Sequence, residues 1–94
     1  MTPQKIRETA DKYRKQLEAL GVRPRRMPIR KYARDVSLDR RLAHALYLLV
    51  GIEELSRIRS KARKIHRHLS FAEALLWDQN FFTIEEFMNQ HRPT

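Results

Sequence analysis

The chain has 94 residues, no cysteine, and twenty Lys plus Arg against eleven Asp plus Glu, a formal net charge of +9. A chain of this length buries roughly 60 to 65% of its unfolded surface, enough for one core, which excludes multidomain enzymes built around an interdomain cleft. Without thiols there is no disulfide framework, thiol nucleophile or Cys-based metal site, and a reducing compartment, the cytoplasm, is the expectation.

Hydrophobic residues make up 41% of the chain, so it has the composition of a folding domain despite its charge. Thr2 suits a helix N-cap and Pro3 the first helical position, after which Ile6, Ala10, Tyr13, Leu17 and Leu20 recur every three or four residues up to Gly21. That spacing predicts one amphipathic helix over about 3–20. Its exposed seam is also the natural place for two copies to pair, which makes a homodimer an open expectation. The N-terminal run Met1 to Glu8 lacks the apolar stretch of a signal peptide.

Residues 21–37 form a basic connector: Pro24 and Pro28 oppose helix, and Arg23, Arg25, Arg26, Arg30, Lys31 and Arg34 meet no anion before Asp35. One short helical turn near Ile29 to Ala33 is compatible with this pattern. Ser37 then caps a helix with Asp39 in its first turn, where the helix dipole favours a carboxylate. Its apolar stripe is Leu38, Leu42, Ala45, Leu49 and Ile52. Beyond Gly51 the stripe becomes Leu55, Ile58, Ala62, Ile65 and Leu69, about 150° out of phase with the first. A helix over 38–68 must therefore kink or break near Gly51, or be buried on both sides at its middle. The longest apolar run, Ala45 to Val50, is far short of the ~20 residues that span a bilayer.

Ser70 with Glu73 and Thr83 with Glu86 both match the capping box, in which a hydroxyl and a carboxylate satisfy each other's backbone N–H groups. They predict helices over 71–79 and 84–90, joined at Asn80, a residue that tolerates a left-handed C-cap. Phe71, Leu75, Trp77, Phe81, Phe82, Ile84, Phe87 and Met88 are expected to close one end of the core. No segment alternates with period two, so the expected fold is all-α: one domain over 1–94, a bundle of about four helices.

Arg67 to Trp77, then Thr83-Ile84-Glu85-Glu86 and His91-Arg92-Pro93, resemble a block in small uncharacterised proteins of phages and bacterial mobile elements. That block reads Gly-Phe-x-Gln-Gly-x-Leu-Trp, Thr-Ile-Glu-Glu and Asn-Arg-Pro. Here Ser70 and Ala74 stand at the two glycines of its first helix, Glu73 at its glutamine, Asn80 at its interhelix glycine and His91 at its asparagine. The resemblance implies a phage or mobile-element setting and a two-helix cap, and carries no activity.

Little in the sequence suggests catalysis. His66 and His68 lie about 200° apart on a helix and cannot chelate one ion, and no HExxH or Cys/His spacing is present, so no metal or other cofactor is expected. His44, facing the apolar middle of its helix, reads as a hydrogen-bonded, partly buried histidine. Glu53 and Glu54 are adjacent and diverge, and either can pair with Arg57. Only Gly21 and Gly51 exist to build a phosphate loop, too few for one. The expectation is a non-enzymatic protein.

Charge distribution is the informative feature. Residues 23–34 carry +6, 35–69 carry +4 and 70–94 carry −3. Arg57, Lys61, Lys64 and His68 succeed one another at helical spacing, with Arg59, Arg63 and Arg67 beside them. A solvated face explains some of this, yet six unopposed cations point to a polyanionic partner. Two partners are therefore expected: nucleic acid held through Arg23, Arg25, Arg26, Arg30, Lys31, Arg34, Arg57, Lys61 and Lys64, or an acidic, nucleic-acid-handling protein complex that the chain inhibits or adapts, in the manner of an anti-CRISPR. No base-reading helix-turn-helix is evident, which favours contacts to the phosphate backbone.

Overall fold

At the N-terminus the sequence signals act as expected. The Thr2 hydroxyl accepts from the Lys5 N–H at 3.1 Å, and helix α1 runs Pro3–Ala19. It ends at Gly21, whose φ of 83° is the left-handed conformation that only glycine adopts freely. The Gly21 N–H reaches Glu18 O and the Val22 N–H returns to Leu17 O, so the last carbonyls are satisfied. The computed structural model describes residues 1–28 and 30–92. Ile29, part of the expected turn at 29–33, and Pro93, the end of the block resembling the mobile-element proteins, lie outside the described residues.

Among the described residues four α-helices make an all-α bundle: α1, α2 (Leu38–Leu55), α3 (Ala62–Asp78) and α4 (Ile84–His91). Helices α2 and α3 form the most extensive interface. They run antiparallel, since Arg41 lies against Asp78, His44 against Phe71 and Gly51 against His68. Helix α1 lays Ile6, Ala10, Tyr13 and Leu17 across this pair. Its seam is thus consumed by the chain's own core, leaving Leu20 as the exposed part. The core of Ile6, Leu17, Leu46, Leu49, Ile52, Ile65 and Leu76 is almost wholly withdrawn from water. Each such side chain contributes about 1.5–3 kcal/mol by burial. No helix among the described residues is long and apolar enough to cross a membrane.

Three boundaries differ from the sequence expectation, each for a packing reason. Helix α2 does not break at Gly51. It continues to Leu55, and burial of Ala43, Ala45, Leu46, Leu48 and Leu49 confirms the alternative of a middle covered on more than one side. The phase conflict is resolved further on: Ser56 Oγ donates to Glu53 O at 2.9 Å, Ile58 turns extended, and a 3₁₀ turn over Arg59–Lys61 leads into α3. A reversal here lets each stripe face the same core from its own helix. Within the second stripe Ile58 and Ala62 consequently stand exposed at the turn.

Ser70 starts no helix. Ile65, Leu69, Ala72 and Leu76 form one buried stripe, and packing of that stripe keeps Ala62–Asp78 continuous through the serine. Glu73, the other half of the supposed box, is buried with 2% exposure. The second box is real: Thr83 Oγ1 accepts from the Glu86 N–H and Glu86 accepts from the Thr83 N–H, both at 3.1 Å. Asn80 adopts a φ of 66°, the left-handed cap expected of it.

Because Gly51 is helical and a Cβ there would meet His68 Cδ2 at an ordinary 3.5 Å, Gly51→Ala is expected to stabilise the protein by about 0.5–1 kcal/mol. Urea denaturation reads this directly; a loss of stability would show that the close approach of α3 requires the bare backbone.

Candidate functional site

The basic connector folds back along α2. The Arg25 N–H donates to Ala43 O at 3.0 Å, and the Met27 N–H donates to His44 Nδ1 at 3.1 Å. Further on, the Arg41 guanidinium donates to Ala33 O, holding the short 3₁₀ turn Ala33–Asp35 near the start of α2. Two backbone bonds and one guanidinium contact therefore fix a segment that has little apolar content of its own, and turn its cations outward.

All nine cations singled out from the sequence are exposed. The fold does not gather them equally. Arg25 and Arg26 flank the anchor at Ala43 and His44, and Lys64 lies across α2 from them: Pro24, Tyr47, Gly51, Glu54, Lys64 and His68 line one groove of about 400 Å³. Arg23 precedes this cluster. Arg30, Lys31 and Arg34 continue toward the start of α2, where Arg34 lies over the Tyr32 ring at 5.0 Å and 4.0 Å from Asp35. Arg57 and Lys61 sit at the opposite end, beside the α2–α3 turn, and Arg57 is paired with Glu53 at 3.5 Å. From Arg41 to Leu55 the strip follows about 21 Å of helix. Arg23, Arg25, Arg26, Arg30, Lys31, Lys61 and Lys64 have no ion-pair partner among the described residues.

At the centre stands His44, half-buried and hydrogen-bonded as expected. Its Nδ1 accepts from the connector, so the neutral ring carries its proton on Nε2. Burial pushes its pKa below the ordinary value, and the positive charges of Arg26 and His68 push it further the same way. His68 is likewise held down, first by burial, with Lys64 and Arg67 adding to the effect against an opposing hydrogen bond to the Lys64 backbone. Of the two histidines read as solvated, His66 is exposed, whereas His68 is half-buried against Gly51. These shared fields place the connector's Arg26 and the α3 cations around one spot.

Two aromatic rings frame His44. Tyr47 stacks on it at 5.7 Å and Phe71 meets it edge-on at 5.8 Å, and both remain 41–51% exposed. Phe71 was expected in the core cap and Tyr47 had no expected role, because their meeting depends on the register between α2 and α3.

A different surface occupies the other flank of α3. Expected in the core, Trp77 is 48% exposed, lying about 100° round α3 from Leu76 and to one side of the buried stripe. Phe71, Ile84 and Met88 also stand about half-exposed, so the aromatic cap is open. Ser70, Ala74, Trp77, Phe82, Ile84 and Phe87 line an apolar groove of about 180 Å³ between α3 and α4. Beneath it, Glu73 accepts from the His91 imidazole Nε2 at 2.7 Å and from Tyr13 OH at 3.2 Å. Burial raises the Glu73 pKa and the two donors pull it back; Tyr13 is raised by its own burial and by the carboxylate. Among the described residues, no three His, Asp or Glu side chains converge as a metal site requires. No known protein family, curated protein or solved structure matches the chain.

Proposed function

We propose that this protein is a non-enzymatic binding module that engages nucleic acid through its phosphates. The observation that carries this reading is the convergence of the connector and α3 on the middle of α2: Arg26 acts on His44, Lys64 lines a groove with His68, and the Arg25 backbone is anchored on Ala43 beside them, all three cations unpaired among the described residues. Cations fixed by backbone anchoring lose little freedom on meeting a phosphate, which favours binding. Arg23, Arg30, Lys31 and Arg34 extend the surface along the strand's path, and Lys61 continues it at the far end. Arg57, already neutralised by Glu53, contributes least.

Backbone-directed binding makes affinity strongly dependent on salt, with a log–log slope of about −0.7 per neutralised single-strand phosphate or −0.9 per duplex phosphate. Fluorescence anisotropy with labelled DNA and RNA between low and moderate salt measures that slope. Absence of binding to either at low salt would refute the proposal.

One observation favours a second reading, a protein-binding inhibitor or adaptor of the kind a phage setting suggests. Trp77 and Ile84 lie half-exposed over the α3–α4 groove, away from the cations, as an aromatic anchor for a protein partner would. A partner from the host that stays bound after nuclease treatment and is lost on Trp77→Ala substitution would support it.

A further inference from the structure

Resting on the phosphate-directed reading, we infer that the ligand is single-stranded nucleic acid, whose bases stack on Tyr47 and Phe71 while Arg25, Arg26 and Lys64 hold its phosphates. The two rings flank the same imidazole, which bounds their separation at the sum of the 5.7 and 5.8 Å centroid distances; Tyr47 lines a groove with Lys64, and the chain next to Arg26 is anchored on that imidazole through the Met27 N–H. Each ring contacts His44 on one side and is 41% or 51% exposed overall. Half-exposed rings near cations that are unpaired among the described residues match the chemistry of an unstacked base with its flanking phosphates.

A duplex does not offer that chemistry. Its base faces are occupied by neighbouring bases, and only edges and phosphates reach a protein surface. Reading edges requires an element that projects into a groove, whereas here the cations lie along a connector and two mutually packed helices. Glu54, on the rim of the same groove, repels phosphate and directs the backbone toward Arg26 and Lys64. His44 lies between the rings and His68 in the adjoining groove, and burial with the adjoining cations favours the neutral form of both.

The test compares four labelled probes at fixed salt: a single strand of about 12 nucleotides as DNA and as RNA, the matching DNA duplex, and an abasic strand with the same phosphates. The intact strands are expected to bind at least about tenfold tighter than the abasic strand, as one or two stacked bases would provide. Tyr47→Ala with Phe71→Ala should erase that difference and leave the salt slope unchanged; Tyr47→Leu with Phe71→Leu does the same with less change in volume. Equal binding of intact and abasic strands by the unmodified protein, or tighter binding of the duplex, overturns stacking while leaving the phosphate-directed reading intact. No binding of any probe at low salt overturns both.

Discussion

Replacing His91 with alanine is expected to destabilise the protein by about 3 kcal/mol at neutral pH, by leaving a carboxylate buried without its charge-assisted donor. Glu73 has a side chain 2% exposed and keeps only Tyr13 OH at 3.2 Å once the imidazole is gone. His91 is itself 28% exposed, so water can partly replace it, which places the cost at the low end of the usual range. The pH dependence fixes the cause. Burial raises the folded-state pKa of Glu73 above its ordinary 4.5, so the folded state holds that proton more tightly than the unfolded chain does. Its contribution is therefore fully present below about pH 4.5 and is lost as pH rises through the raised value. Removing His91 raises that value further, so the deficit of His91→Ala is largest at neutral pH and shrinks on acidification. Glu73→Gln in the same background should recover more than half of the loss at neutral pH, because a neutral amide tolerates the site. Urea denaturation at pH 5 and pH 7.5 measures all of this; a deficit independent of pH would mean that His91 acts by packing on Phe87 instead, which it meets at 4.3 Å.

Replacing Arg25, Arg26 and Lys64 together by alanine should weaken nucleic-acid binding about a hundredfold near 0.1 M salt, and make the salt slope shallower by about 2. Three lost single-strand phosphate contacts account for both figures. Stability should hardly change, since the Arg25 anchor is its backbone N–H and all three side chains are exposed. Arg57→Ala removes one charge and should cost less than about threefold, against about fivefold for each of those three, because Glu53 already opposes it. Anisotropy titrations of the two proteins at several salt concentrations decide the matter. An equal loss per charge removed would show that only bulk charge counts, and that the anchored connector has no special place.

That contrast also indicates where the sequence was informative. Thr2, Pro3 and Gly21 mark α1, and Thr83 with Glu86 marks α4, because the groups that make a cap lie within about four residues of one another. Ser70 with Glu73 has the same local pattern and fails, since the stripe through Ile65, Leu69, Ala72 and Leu76 overrides one hydroxyl. The phase difference between stripes called for a kink or break near Gly51 or a middle buried on both sides, and did not locate the turn at Ser56–Lys61, which holds no Gly or Pro to announce it. In the candidate site, the cations were legible as composition. The anchoring of Arg25 and Met27 on α2 was not, and neither was the framing of His44 by Tyr47 and Phe71, which joins residues 24 apart through helix register. Trp77 was misplaced because the stripe that packs, Ile65, Leu69, Ala72 and Leu76, is fixed by the meeting of α3 with α2 and α1 and leaves the indole to one side.

The arrangement of the helices also implies an order of assembly. The α2–α3 hairpin is closed by a six-residue reversal, so its large interface forms at little loop-closure entropy and is the natural nucleus. Helix α4 is tied down by pairs far apart in sequence: Gln90 donates to Thr9 Oγ1 at 3.3 Å and accepts from Lys12 at 3.2 Å, and His91 reaches Glu73. Such contacts form late and open first. In amide exchange α4 should therefore behave as a separate, lower-energy opening unit, whose excursions bare Phe82, Phe87 and the Glu73 carboxylate while the hairpin that carries the basic face stays folded.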